Sequence, residues 1–379
     1  MSMTRFMVMS GLLLATACEE SSTSPGSRST ETSGGGAEAA AGASGIPASG
    51  APAADSVGGS AGASDGDTSV VPVPCPEPAS DAIPPEERWP DCVHPDVVTD
   101  CNDGWCKIPA GCFIMGSPEH EWYHAPYEQE QAAVTLTRAF EVGQHEVTQR
   151  EWTARGLPNP SGLQPNGTGN CLEPDCPVGN VTWFEAVAYA NLLSEERGLE
   201  PCYVLHNCTN QPGEWMFCDN VTATAATVYE CEGYRLPTDA EWEYAARAGT
   251  RTAFYSGDTT CYGEGLVCNP DPALARIAWY CHNSGGLSHP VGQLLPNAWG
   301  LQDMLGNVWE WINDRSDGLG AQSPVDPDGV AGSYISRNRR GGSVVNQAVQ
   351  CRAANQLEAS WDYRTPMLGF RLARTLPPP

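Results

Sequence analysis

The chain has 379 residues, with 46 acidic and 20 basic side chains and a formal net charge of −26. Lys107 is its only lysine, so no basic stripe can track a phosphate backbone, and a P-loop or Schiff-base lysine is equally poorly supplied. That length fits one or two domains, the 40 glycines and 32 prolines predict turns and linker rather than long helices, and the excess carboxylate makes divalent cations the natural small partners.

Residues 1–17 carry Arg5 and then the apolar run Met7 to Ala17, too short to span a bilayer. They read as a secretory signal. The stretch Leu13-Leu14-Ala15-Thr16-Ala17-Cys18 resembles a bacterial lipobox, which implies cleavage before Cys18 and lipid attachment to it. Residues 18–74 are Ser, Gly, Ala, Thr, Pro and Asp with almost no large apolar side chain. Such a segment cannot bury enough surface to offset its ordering entropy, and it reads as a flexible tether. The expectation is an exported protein of a bacterial envelope, held to the membrane through its lipid alone.

A cysteine-containing extension follows over residues 75–104. Of the 16 cysteines, 15 lie beyond Cys18, and in an oxidising compartment they are disulfides by default. No CxxC pair occurs, which argues against structural zinc. Connectivity does not follow from sequence; the local pairs Cys171–Cys176 and Cys261–Cys268 cost the least loop entropy. The odd total leaves at least one thiol free or intermolecular.

Ordered patterning begins near Trp105. Lys107–Gly116 and Ala133–Val142 read as strands, with Val134, Leu136 and Phe140 on one face. Three capping boxes announce short helices. The first starts at Thr148 with Glu151 and stops near Gly156. The second starts at Thr182 with Glu185 and runs to Arg197, burying Phe184, Val187, Ala188 and Leu192. The third starts at Thr238 with Glu241 and ends before Gly249. No βαβ alternation and no tandem repeat occurs, so the domain is α+β, built largely of loops.

Several strings in this region are specific: GYRLPTDAEWEYAAR at 233–247, NAWGLQDMLGNVWEW at 297–311, RGGS at 340–343, CRAAN at 351–355 and LGFR at 368–371. With IPAGCFIMG at 108–116, EVT at 146–148 and NVTW at 180–183, they resemble the formylglycine-generating enzyme, or sulfatase-modifying factor, family over residues 105–375. The resemblance implies that family's variant of the C-type lectin-like fold. It also implies an oxidase that uses oxygen and copper to convert a sulfatase cysteine to formylglycine.

In those enzymes two cysteines after the serine matching Ser343 hold copper, because Cu(I) selects thiolates. The first matching position is Asn346. By count the second is Cys351, although by context Cys351 matches a structural family cysteine. That cysteine's disulfide partner falls on Ala246, so Cys351 is expected to pair elsewhere, with Cys281 as one choice, or to stay free. The family's other disulfide falls on Ala190 and Leu372, neither of them cysteine.

A calcium site implied by the resemblance maps onto Asp303, Gly306, Val308 and Glu310. Two carboxylates and two carbonyls suit a hard cation. The family's second calcium site maps onto Arg276 and Asn283, and an arginine there argues against metal. The expected protein is therefore an envelope lipoprotein whose domain lacks the copper dithiol and serves as a calcium-stabilised scaffold or binding module for another envelope protein. The alternative is an active formylglycine-generating oxidase working on a sulfatase or other exported protein through Cys351, with copper, or a related oxygen-dependent enzyme.

Three other motifs carry less. HEWYH at 120–124 fits the HExxH zinc pattern, but Pro118 and Pro126 leave no room for the helix that chemistry needs. Glu173-Pro174-Asp175 and Trp311–Asp314 are similar to the sugar–calcium motifs of C-type lectins, yet their context disfavours glycan binding. Asn166, Asn180, Asn207 and Asn220 sit in N-x-T sequons that a bacterial protein leaves unused.

Overall fold

The computed structural model describes residues 71–79, 82–124, 131–162, 164, 166–262, 267–315, 325–329 and 336–378. The signal segment, Cys18 and the tether up to residue 70 lie outside them. All three anticipated helices form, as Gln149–Ala154, Trp183–Glu196 and Asp239–Arg247. Each N-terminus is closed by its reciprocal Thr–Glu box, which satisfies two of the orphan N–H groups of a first turn. A fourth helical turn, Pro85–Arg88, lies in the extension.

The strands are shorter than the sequence suggests. The run from Lys107 to Gly116 divides into Trp105–Ile108 and Gly111–Met115, and the run from Ala133 to Val142 into Ala132–Leu136 and Phe140–Gly143. Both divisions have a local cause. Pro109 has no N–H to give a ladder. Thr137 gives its N–H to the Asp326 carboxylate at 2.7 Å. The chain thereby leaves one sheet and enters another at each break. Val134, Leu136 and Phe140 are buried as expected.

A five-stranded sheet runs Cys101–Asn102, Trp105–Ile108, Phe140–Gly143, Ala373–Thr375, Tyr234–Arg235, antiparallel throughout. A four-stranded sheet runs Gln356–Ser360, Ser336–Arg340, Trp309–Arg315, Leu368–Phe370, and its last pair is parallel. Two hairpins complete the set: Gly111–Met115 with Ala132–Leu136, and Tyr203–His206 with Asn220–Ala223.

Two aromatic cores fill the spaces between these layers. One gathers Phe113, Phe140, Trp242, Tyr244 and Trp299. The other gathers Trp152, Trp183, Phe184, Tyr189, Trp311 and Phe370. In the helix Trp183–Glu196, Leu193 is buried and Leu192 only half-buried, a shift of one residue from the expected stripe. That helix is buried on every side from Trp183 to Ala190, so a single amphipathic face does not describe it.

Seven disulfides join the described cysteines: Cys75–Cys261, Cys92–Cys112, Cys101–Cys106, Cys171–Cys176, Cys202–Cys231, Cys208–Cys218 and Cys268–Cys281. The Cys171–Cys176 pair matches expectation. The Cys261–Cys268 pair does not form. The extension instead lies along residue 261, where Val73 N–H donates to the Cys261 carbonyl at 2.8 Å and Pro72 bridges Tyr262, so Cys75 reaches Cys261 first. Loop entropy favours neighbours in sequence, but tertiary placement overrides it. Cys281 is taken by Cys268, so it does not pair with Cys351, which is the free cysteine among the described residues.

Candidate functional site

The end of the strand Ser336–Arg340 delivers RGGS into a tight turn. Gly341 and Gly342 both have positive φ, and a Cβ on Gly342 would meet the Cys351 sulfur at 2.6 Å. Glycine at 342 is therefore what allows Cys351 to close against this turn. The structure brings Ser343, Asn346 and Cys351 together around it. The Ser343 hydroxyl donates to Asn346 Oδ1 at 2.6 Å, and Asn346 Nδ2 donates to Gln350 Oε1 at 3.1 Å. The Asn346 carbonyl accepts the Cys281 N–H at 3.0 Å.

Cys351 is fully buried, and burial pushes its thiol up to about 12, against backbone N–H bonds from Ser343 and Gly306 that lower it. A thiol held protonated is a poor nucleophile and a poor ligand. Ala246, the family partner position, lies in the same core cluster as Cys351, and Ala190 and Leu372 share the other core. Small and apolar side chains thus pack where the family places cross-links. Copper does not fit this geometry. One buried thiol raised by its surroundings and one amide do not make a soft dithiolate pair.

The second cluster is electrostatic. The strand Trp309–Arg315 presents Glu310, fully buried, to Arg371 of the LGFR string. Arg371 Nε donates to Glu310 Oε2 at 2.7 Å, and Nη2 to Oε1 at 2.6 Å. Trp242 Nε1 also donates to Oε2, at 2.8 Å. Both Glu310 oxygens therefore accept hydrogen bonds, from Arg371 and Trp242. The Gly306 N–H donates to the Gly341 carbonyl at 2.8 Å.

Asp303 stands nearby and is nearly fully buried. Its Oδ2 accepts the Gly292 N–H at 2.6 Å, and its Oδ1 has no hydrogen-bond partner. Beside it lies Glu146, fully buried, with both carboxylate oxygens unpartnered. Burial first, then the Asp303 carboxylate, push the Glu146 carboxyl well above its ordinary range. Burial also raises Asp303. Glu146 belongs to the EVT string, which by itself gives it no role. The one signal it carries in sequence is its position, an acid two residues before a helix N-cap and next to the buried Val147. Among the described residues no group of three or more His, Cys, Asp or Glu is gathered tightly enough to hold a metal ion.

The remaining motifs resolve as structure. Residues 120–124 form turns, not a helix. Glu121 pairs with Arg352 at 2.5 Å, and Arg352 Nη2 donates to the Tyr123 carbonyl at 2.6 Å. The HEWYH string thus fastens the segment that follows Cys351. Asn313 accepts the Tyr203 hydroxyl at 3.0 Å, and Asp314 accepts the Asp239 N–H at 2.8 Å; both are buried. Asp175 forms an exposed ion pair with Arg150 at 2.9 Å. Arg276 is exposed, while Asn283 binds the Tyr280 N–H and the Ala278 carbonyl.

Residues 93–376 match the model of the sulfatase-modifying factor enzyme 1-like domain. The chain belongs to this family. The matched span begins about twelve residues before the region legible as strings, inside the cysteine-rich extension. The chain is 29% identical over 304 residues to a formylglycine-generating enzyme of Mycobacterium tuberculosis, covering 70% of this chain and 95% of that one. It is 35% identical over 197 residues to the chaperone protein LppX of Paenibacillus barcinonensis, covering 47% of this chain and 62% of that one. Among solved structures it is similar to PvdO from Pseudomonas aeruginosa, with TM-score 0.55 and 25% identity, covering 74% of this chain and 98% of that one. The relatives of this chain therefore include both named enzymes and a named chaperone.

Proposed function

We propose that this is an exported bacterial lipoprotein whose sulfatase-modifying factor domain is not a copper oxidase but a binding module or scaffold for another envelope protein. The observation that carries the reading is the pair at 346 and 351. Asn346 spends its amide on Ser343 and Gln350, and Cys351 is buried and protonated. The chemistry of two thiolates on one metal has no site here, so no oxidation step is derived. The lipobox at Leu13–Cys18 and the tether after it supply the export and anchoring. The similarity to a chaperone over 197 residues agrees with a role in holding a protein rather than oxidising one.

The alternative, a formylglycine-generating oxidase acting on a cysteine peptide with copper, draws on one feature. Cys351 is outside every disulfide among the described residues. The deciding experiment incubates the purified protein with copper, oxygen and a sulfatase-type cysteine peptide and reads aldehyde by hydrazide capture. No aldehyde above the copper-only blank is expected. Aldehyde that vanishes in Cys351→Ala overturns the proposal.

A further inference from the structure

Between the helix Trp183–Glu196 and the strand Tyr234–Arg235 the chain makes a small loop closed by Cys208–Cys218. Glu185, fully buried in that helix, fastens the loop from beneath. Its Oε1 accepts the Gly213 N–H at 2.9 Å and the Met216 N–H at 3.1 Å. Between those two anchors stands Trp215, with φ +62° and 54% of its surface exposed. A bulky side chain in the left-handed region is strained, and an exposed indole gains little burial to offset that strain. Glycine would hold this turn without it, so fold stability does not account for tryptophan at 215.

Arg364 stacks on the indole, its guanidinium carbon 4.2 Å from the ring centroid. Among the described residues that guanidinium makes no ion pair and no hydrogen bond, so stacking fixes its plane and leaves its N–H groups for a ligand. Phe217, 37% exposed, adds a second ring two residues further on. Three polar side chains in and beside the loop are spent on its own support. Asn210 Nδ2 donates to the Trp215 carbonyl at 3.1 Å, the Thr209 hydroxyl to the Phe217 carbonyl at 3.3 Å, and Asn207 Nδ2 to Asp219 Oδ2 at 3.1 Å. They do not make the free fan of donors and acceptors that a sugar ring requires.

We propose that Trp215, Phe217 and Arg364 form the surface on which this domain docks a peptide segment of a partner protein, one with a carboxylate next to an aromatic or proline side chain. The exposed rings take the apolar side chain and the unspent guanidinium takes the acid. Tryptophan and arginine are the residue types that carry most interface energy, and a loop held by a disulfide and a buried carboxylate has little left to order on binding. The assignment rests on reading the domain as a binding module.

The test uses the full mature chain. Random peptides displayed on phage are selected on the wild-type protein, and the enriched ones are synthesised with a fluorophore and titrated by anisotropy. Enriched peptides should carry an acidic residue beside an aromatic or proline residue. Trp215→Gly should weaken their binding at least about 30-fold without lowering the Tm, because glycine suits the turn. Arg364→Gln should weaken it about 10-fold, and changing the peptide's acid to its amide should cost as much on the wild type but nothing further on Arg364→Gln. Failure to enrich any peptide, equal binding to wild type and both variants, or a Tm lowered by more than about 5 °C in Trp215→Gly would each overturn the assignment. Binding of N-acetylglucosamine oligomers in place of peptides, lost in the same variants, would overturn the protein partner. Peptides that bind wild type and variants alike sink this surface and leave the binding-module reading standing, whereas aldehyde that depends on Cys351 sinks that reading.

Discussion

The segment 343–351 and the cluster of Glu146, Asp303, Glu310 and Arg371 are both buried or half-buried polar regions, and they differ in how their polar groups end. In the first, the Ser343 hydroxyl, the Asn346 amide and the Gln350 amide oxygen close on one another. In the second, three carboxylate oxygens close on nothing. A paired network has its desolvation cost offset from within. An unsatisfied one in the interior is a free-energy cost that something must offset. Asn346 belongs to the first kind, since its amide bonds Ser343 and Gln350.

The largest effect expected from breaking this contrast is at Arg371. Arg371→Met leaves Glu310 buried without its two charge-assisted bonds, and should cost about 3–5 kcal/mol of stability in urea unfolding followed by tryptophan fluorescence. A loss under about 1 kcal/mol would show that the cluster does not depend on this pair. Asn346→Ala strips the acceptor from Ser343 and the donor from Gln350, and should cost about 1–2 kcal/mol by the same measurement. No loss would mean that the network at 346 is not a finished one. The smallest effect concerns Cys351. Maleimide at neutral pH should leave it unmodified in the native protein and label it fully after unfolding, by mass spectrometry. Because its thiol is raised when folded, its stabilising contribution is complete below the ordinary thiol range and is lost as pH rises toward about 12. Rapid native labelling would restore the case for chemistry at this position.

Much of the fold is legible in the amino-acid sequence. The three Thr–Glu boxes mark the start of every substantial helix, because capping is a short-range contract between residues three apart. The strings at 233–247 and 297–311 point to the fold. The strand breaks are half visible, since Pro109 marks one of them, whereas Thr137 breaks the other through Asp326, 189 residues away. The stripe on Trp183–Glu196 misleads because that helix is enclosed and its pattern carries no phase.

Neighbouring residues and recognisable strings are enough to settle the family, the α+β class and the cap of each of the three substantial helices among the described residues. Three-dimensional packing was needed to show that Cys75 bonds Cys261 across 186 positions, that Glu121 of HEWYH serves Arg352, and that Arg371 pairs with Glu310. It also leaves Glu146 facing that cluster without a partner. Disulfide choice, ion pairing and burial depend on which distant segments share a volume, and no local pattern encodes that.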